Sequence, residues 1–249
     1  MNFFGYSDIG KRRATNQDRF LIKRFSDDLV ICAVFDGMGG AKGGEEASST
    51  ACGEFEKSIT ASLADLFEEG ETLTRASAEV MLCKAAEAAN AAVFTLGSDP
   101  ALQGLGTTVV AAAVTDGFTV AINVGDSRIY EISSGEIRQI SKDNSYVQYL
   151  VDIGQITKEE AENHPQKNLI TKCLGSEEYV EPDTYRIPYV PDYLLLCSDG
   201  LTNAVSEEDI FDIVSQPGED GDAKVKRLID AANEAGGGDN ITVILAVEG

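Results

Sequence analysis

The chain has 249 residues, enough for one large domain or two small ones, and sets 20 Lys and Arg against 42 Asp and Glu, a formal net charge of -22 at pH 7. A field of that sign repels nucleic-acid phosphates and anionic membranes, so neither is expected as a partner. Five cysteines, Cys32, Cys52, Cys83, Cys173 and Cys197, form no Cys-x-x-Cys pair, no apolar leader precedes the basic residues of MNFFGYSDIGKRR, and no stretch reaches membrane-span length. A reducing cytoplasm fits this composition, and one domain is expected over 1–249.

Strand patterns fall at 19–25, 29–35, 107–114, 118–124, 128–132, 136–140, 184–187, 193–198 and 241–247. The Asp-Gly of VTDGF and the SSG at 133–135 read as tight hairpin turns, so neighbouring strands are antiparallel. Within 118–124, Phe118, Val120, Ile122 and Val124 alternate with Thr119, Ala121 and Asn123, which predicts a sheet with one apolar face. Helices are expected at 44–65, 72–97, 145–152, 157–163, 207–216 and 222–235. In the second, Val80, Met81, Ala85, Ala88, Ala92 and Leu96 recur at helical spacing and predict a core-facing stripe. Grouped strands and helices point to α+β architecture: antiparallel sheets covered by helices rather than a doubly wound parallel fold.

Four apolar runs carry an aspartate at one end: VICAVFDGMGG with Asp36, VAINVGDSR with Asp126, YLLLCSDGL with Asp199 and GGGDNITVILAV with Asp239. A single Asp-Gly at a strand end is most simply a turn. Four acids at the ends of buried strands are costly to desolvate without partners, and hard carboxylates suit Mg or Mn, so the set reads as a metal site. The glycines after Asp36 let backbone approach an ion, and Gly37 could offer its carbonyl. GLGTTV at 104–109 lacks a third glycine and enters a strand, which marks it as strand entry rather than a nucleotide loop. Asn240-Ile241-Thr242 matches a glycosylation sequon by coincidence of pattern.

The blocks DIGKRRATNQDRF, VFDGMGGAKGGE, GLGTTVVAAAV, NVGDSRIY, ENHPQKNLITKCLG, LLLCSDGL and GGGDNITVI occur in an order that resembles the metal-dependent protein phosphatases of type 2C, in their compact bacterial form. The resemblance spans essentially the whole chain. It implies a sandwich of two antiparallel sheets between helical layers, with a flap at about 143–175. It makes Asp36 the bridging ligand of two Mn or Mg ions, with Asp199 and Asp239 completing one and the Gly37 carbonyl serving the other. Asp126 and Asp199 match the ligands of a third ion found in bacterial members, and Asp18 matches an acid that holds waters on the metals. Arg13 matches the arginine that grips substrate phosphate, a role suited to its planar donor fork. Catalysis is thus expected to involve Arg13, Asp18 and Asp36.

Many members carry a proton-donating histidine directly after the Asp-Gly, where this chain has Met38, or slightly later, where it reads Ala41-Lys42. The only histidine, His164, precedes Pro165 in the flap, where a turn role is expected ahead of a part in substrate binding or acid catalysis. The implied activity is hydrolysis of phosphoserine and phosphothreonine in proteins by a metal-activated water. Phosphoproteins would be its substrates, a bacterial Ser/Thr kinase its opponent, and a monomer its working form. The acidic surface would favour basic flanks around the phosphosite. Two readings compete, a catalytically silent phosphatase-like binding module and a general phosphomonoesterase.

Overall fold

The computed structural model describes residues 1–248, apart from the side chains at 41 and 42, so the Ala41-Lys42 position lies outside the described side chains. Eleven strands form two antiparallel sheets. One sheet runs β1 (Asn2–Asp8), β11 (Ile241–Val247), β10 (Tyr193–Cys197), β7 (Arg128–Ser133) and β8 (Glu136–Gln139). The other runs β2 (Asp18–Ser26), β3 (Leu29–Met38), β5 (Val109–Thr115), β6 (Thr119–Val124) and β9 (Asp183–Ile187), with the short β4 (Gly106–Thr107) beside the end of β3.

Strand alternation builds three apolar layers. Ile31, Ala33 and Phe35 of β3 face the long helices α1 (Gly40–Glu68) and α2 (Arg75–Leu96), while Cys32 and Val34 face the other sheet. Leu194 and Leu196 of β10 enter the same middle layer, whereas Leu195 and Cys197 face α6 (Glu207–Ser215) and α7 (Gly221–Glu234). Burying each of the larger ones, such as Ile31, Val34, Phe35, Leu194, Leu195 and Leu196, favours folding by roughly 1.5–3 kcal/mol. In α7, Val225, Leu228, Ile229 and Ala232 supply the buried stripe at helical spacing. The remaining helices are α3 (Tyr146–Asp152), α4 (Lys158–Glu162) and α5 (Asp199–Thr202). No described helix is long and apolar enough to cross a membrane.

The expected hairpins are present: β5 and β6 meet across Asp116-Gly117, and β7 and β8 join through Ser134-Gly135, two residues that both adopt positive φ. Three sequence expectations need correction. The strand Thr119–Val124 is buried on both faces, because Val120 and Ile122 pack on the helices while Ala121 lies between the sheets. On α2 the buried stripe runs through Ala78, Met81, Leu82, Ala85, Ala86, Ala89 and Val93, and Val80 is 53% exposed. Asp36 does not end its strand, since β3 continues through Met38 in register with β4.

Candidate active site

Strand geometry brings the acids together. Asp18 opens β2 directly opposite Asp36 on β3, and Asp126, Asp199 and Asp239 lie just outside the ends of β6, β10 and β11. Asp36 is fixed through its backbone: its N–H donates to Thr108 Oγ1 at 3.0 Å, and its carbonyl accepts from Thr108 N at 2.9 Å and Thr107 Oγ1 at 2.8 Å. Thr108 also meets Ser127 Oγ at 2.8 Å, which ties the Asp36 strand to the Asp126 loop. Beside Asp36, chain segments approach so closely that a methyl group on Gly37 would lie 2.1 Å from the Gly44 carbonyl oxygen and 2.6 Å from that of Gln17. The Gly37 carbonyl itself lies against Gly44 of α1.

Asp18 is 2% exposed. Its Oδ2 accepts from Ser198 Oγ at 2.8 Å and Thr242 Oγ1 at 2.7 Å, while its Oδ1 is buried with no partner among the described residues. Ser198 precedes Asp199, and its own N–H donates to the Thr242 carbonyl at 3.0 Å, so β10 and β11 hold Asp18 and Asp199 in one frame. Asp199 begins α5 and its Oδ2 accepts from Asn203 Nδ2 at 2.8 Å. Arg13, on the 9–17 segment, donates to Asp239 Oδ2 at 2.6 Å. The structure therefore assembles Arg13, Asp18, Asp36, Asp126, Asp199 and Asp239 from widely separated parts of the chain.

Crowded carboxylates with little solvent resist ionisation. Burial, then the charges of Asp18, Asp199, Asp126 and Asp239, hold the Asp36 carboxyl well above the usual range. Burial first, with Asp199 and Asp143 adding, pushes Asp126 up to about 8. Burial also raises Asp18 to about 7, against the hydrogen bonds from Thr242 and Ser198. Asp199 is raised by burial and Asp239, with a hydrogen bond to Asp36 and the charge of Arg13 opposing. Among the described residues no three carboxylates already close on one point as a ligand set. The donor set is nevertheless hard, all-oxygen and surplus in negative charge, and the orphaned Asp18 Oδ1 lacks a donor, so the residues fit divalent Mg or Mn better than any neutral ligand.

The hydrogen bonds and ring contact of His164 lie within its own segment and α3. Its Nδ1 accepts from Gln166 N at 3.2 Å and its ring lies 6.4 Å from that of Tyr146, an arrangement that shapes the turn around Pro165. Sequence reasoning did not single out Ser198, Thr108 or Thr242. The available signal was their position within three residues of a strand-end acid or its glycine-rich partner, but nothing in one sequence shows that Ser198 reaches Asp18.

A family model described as protein phosphatase 2C matches residues 5–228. The chain belongs to the protein phosphatase 2C family. It is 39% identical over 242 residues to the serine/threonine phosphatase stp of Listeria welshimeri, covering 96% of this chain and 92% of that one. The solved structure of the serine/threonine phosphatase PstP from Mycobacterium tuberculosis is similar with a TM-score of 0.82 and 35% identity, covering 100% and 99% of the two chains. A catalytic domain of PstP solved with two manganese ions superposes with a TM-score of 0.79 at 34% identity, covering 99% and 98%.

In this phosphatase 2C chain a cleft of about 600 Å³ opens from Asp126 and Asp199 toward the 143–175 segment. That segment is pinned at both ends. Asn144 exchanges hydrogen bonds with Gly125 beside Asp126, at 2.8 and 2.9 Å, and Leu174 pairs with Thr107 at 2.8 and 3.1 Å. Arg128 adds a forked contact to Asp143 at 2.8 to 3.0 Å. Lys158, Lys167, Glu162 and Glu207 line the cleft, so its local charge is mixed.

Proposed function

We infer that this phosphatase removes phosphate from phosphoserine and phosphothreonine in proteins at a Mg2+ or Mn2+ centre. Family membership across residues 5–228 is the observation that carries this reading, and the grouping of five aspartates beside the cleft that Asp126 and Asp199 line supports it. Asp36, Asp126, Asp199, Asp239 and the Gly37 carbonyl would hold the ions, two in number, with Asp126 and Asp199 as the residues to hold a third. Bound there, divalent ions supply an acidified water nucleophile and neutralise the charge of the phosphoryl group.

The chain's own residues do the rest. Asp36, its backbone locked to Thr107 and Thr108, would offer its carboxylate as an ion ligand from a fixed position on β3. Asp18, with Oδ2 accepting from two hydroxyls, leaves Oδ1 as the acceptor that would take a hydrogen bond from a water held at the centre and orient it. Arg13 is exposed enough to exchange Asp239 for a phosphate dianion, for which its planar fork is a better match than an ammonium. The 143–175 flap and the cleft beneath it would receive residues that flank the phosphosite. We further assign a cognate Ser/Thr kinase as its opponent and a monomer in the cytoplasm as its working state, on the family resemblance and composition.

The decisive assay is phosphate release from a phosphothreonine peptide. Turnover is expected to vanish in EDTA and return with Mn2+ or Mg2+, and absence of turnover with either ion in a folded protein would reject hydrolysis. His164→Gln is expected to leave kcat for peptide and for nitrophenyl phosphate within about twofold, because the imidazole holds a turn. Selective loss on the peptide, whose serine or threonine alkoxide needs a proton, would instead assign acid catalysis to it.

A further inference from the structure

Asn240 is 3% exposed, and its three side-chain hydrogen bonds all go to one target, the backbone of the 9–17 segment. Its Oδ1 accepts from Gln17 N at 2.9 Å, and its Nδ2 donates to the carbonyls of Ile9 at 2.9 Å and Thr15 at 3.0 Å. Those contacts grip the segment at both ends, with Arg13 between them. The neighbouring glycine loop grips its middle, because the Gly237 carbonyl accepts from Lys11 N at 2.9 Å and Arg12 N at 3.1 Å. Gly10, at φ 76°, packs so tightly on Asp239 that a methyl group there would lie 2.1 Å from its carbonyl oxygen. The segment has little regular structure of its own between β1 and β2. Its shape is therefore copied from residues 237–240.

We propose that Asn240 is a positioning residue for substrate phosphate, acting through the backbone of residues 9–17 to fix where Arg13 presents its guanidinium. The sequon Asn240-Ile241-Thr242 thus has a structural use: both polar side chains are buried, Asn240 around the Arg13 segment and Thr242 against Asp18. The proposal rests on Arg13 as the phosphate-gripping residue. Because the Asn240 side chain bonds only to the backbone of residues 9–17, its removal is expected to act on binding of phosphate rather than on the chemistry of the centre.

The test compares Asn240→Ala, Asn240→Asp, Arg13→Ala and the double variant Asn240→Ala/Arg13→Ala at saturating Mn2+. Asn240→Ala is expected to raise KM for nitrophenyl phosphate and the inhibition constant of inorganic phosphate by roughly tenfold to a hundredfold, the range seen when a supporting contact lets a reacting group drift. Mn2+ affinity, measured by calorimetry on chelator-stripped protein, should change less than about threefold. Hydrogen exchange across residues 9–17 should accelerate. The double variant should be no weaker than Arg13→Ala alone, since coupled residues are not additive. Asn240→Asp keeps the acceptor and the size but loses both Nδ2 donors, and it carries the KM, phosphate-inhibition and hydrogen-exchange readings if the alanine variant does not fold. Additive losses, or an Mn2+ affinity that falls while KM holds, would overturn the proposal. An Arg13→Ala enzyme with unchanged KM and phosphate inhibition would instead overturn the assignment of Arg13 on which it rests.

Discussion

Asp199→Asn is expected to lower kcat on a phosphothreonine peptide by roughly a thousandfold or more at saturating Mn2+, without unfolding the protein. Asp199 is proposed as a ligand twice, with Asp239 at the paired ions and with Asp126 at a third, and it begins α5. Asparagine preserves the size of the side chain and its contact to Asn203, but it removes a negative charge from the ligand set. Charge neutralisation and an acidified water together account for several kcal/mol of transition-state stabilisation, and each 1.4 kcal/mol is about tenfold in rate. Calorimetry should show weaker Mn2+ binding in step with the lost turnover. A variant that binds Mn2+ normally and turns over within tenfold of the parent would remove Asp199 from the metal set. If the parent protein itself binds Mn2+ and never releases phosphate, the silent binding module becomes the better reading.

Legibility of the sequence followed the length and contrast of each signal. Strands such as Tyr193–Cys197 and Ile241–Val247 stand out because long apolar runs end at an acid or a glycine. The same contrast exposed Asp36, Asp126, Asp199 and Asp239. The strand Asn2–Asp8 was missed because Gly5 interrupts it and its residues are only half-buried, as the edge position beside β11 allows. On α2, alanines lie on several sides of the helix, and a methyl group is too small to mark the buried face, which is why Val80 was assigned inward. The four-residue helix that Asp199 begins was hidden inside a signal that reads equally well as a turn. Contacts across the sandwich were beyond reach for a different reason. Ser198 and Asp18 are 180 positions apart, as Thr242 and Asp18 are 224 apart, and only stacking of the sheets places them together.

Stripped of ions, the protein is expected to lose stability as pH rises from about 4 to 8, and Asp36→Asn is expected to flatten that loss and raise the thermal midpoint. Burial, ahead of all other causes, raises Asp18 to about 7 and Asp126 to about 8, and it holds Asp36 well above the ordinary carboxylate range. A carboxyl raised in the folded state binds more protons there than in the unfolded chain, whose value is about 3.9. Stability from these groups is therefore fully present below about pH 4 and is lost as pH rises through 7 to 8. Each unit of difference corresponds to about 1.4 kcal/mol, so a loss of a few kcal/mol is expected from each such group. Repulsion among the other charges of a chain at net -22 acts in the same direction in parent and variant alike. The difference between their slopes therefore isolates the site, because the amide introduced by Asp36→Asn cannot ionise and no longer repels Asp18. Saturating Mn2+ should reverse the parent's slope, since ions bind the deprotonated carboxylates and bind them more strongly at higher pH. Thermal unfolding in EDTA and in Mn2+ at several pH values reads all of this. Parallel slopes for parent and Asp36→Asn in EDTA would show that the five aspartates are not the strained centre of this fold.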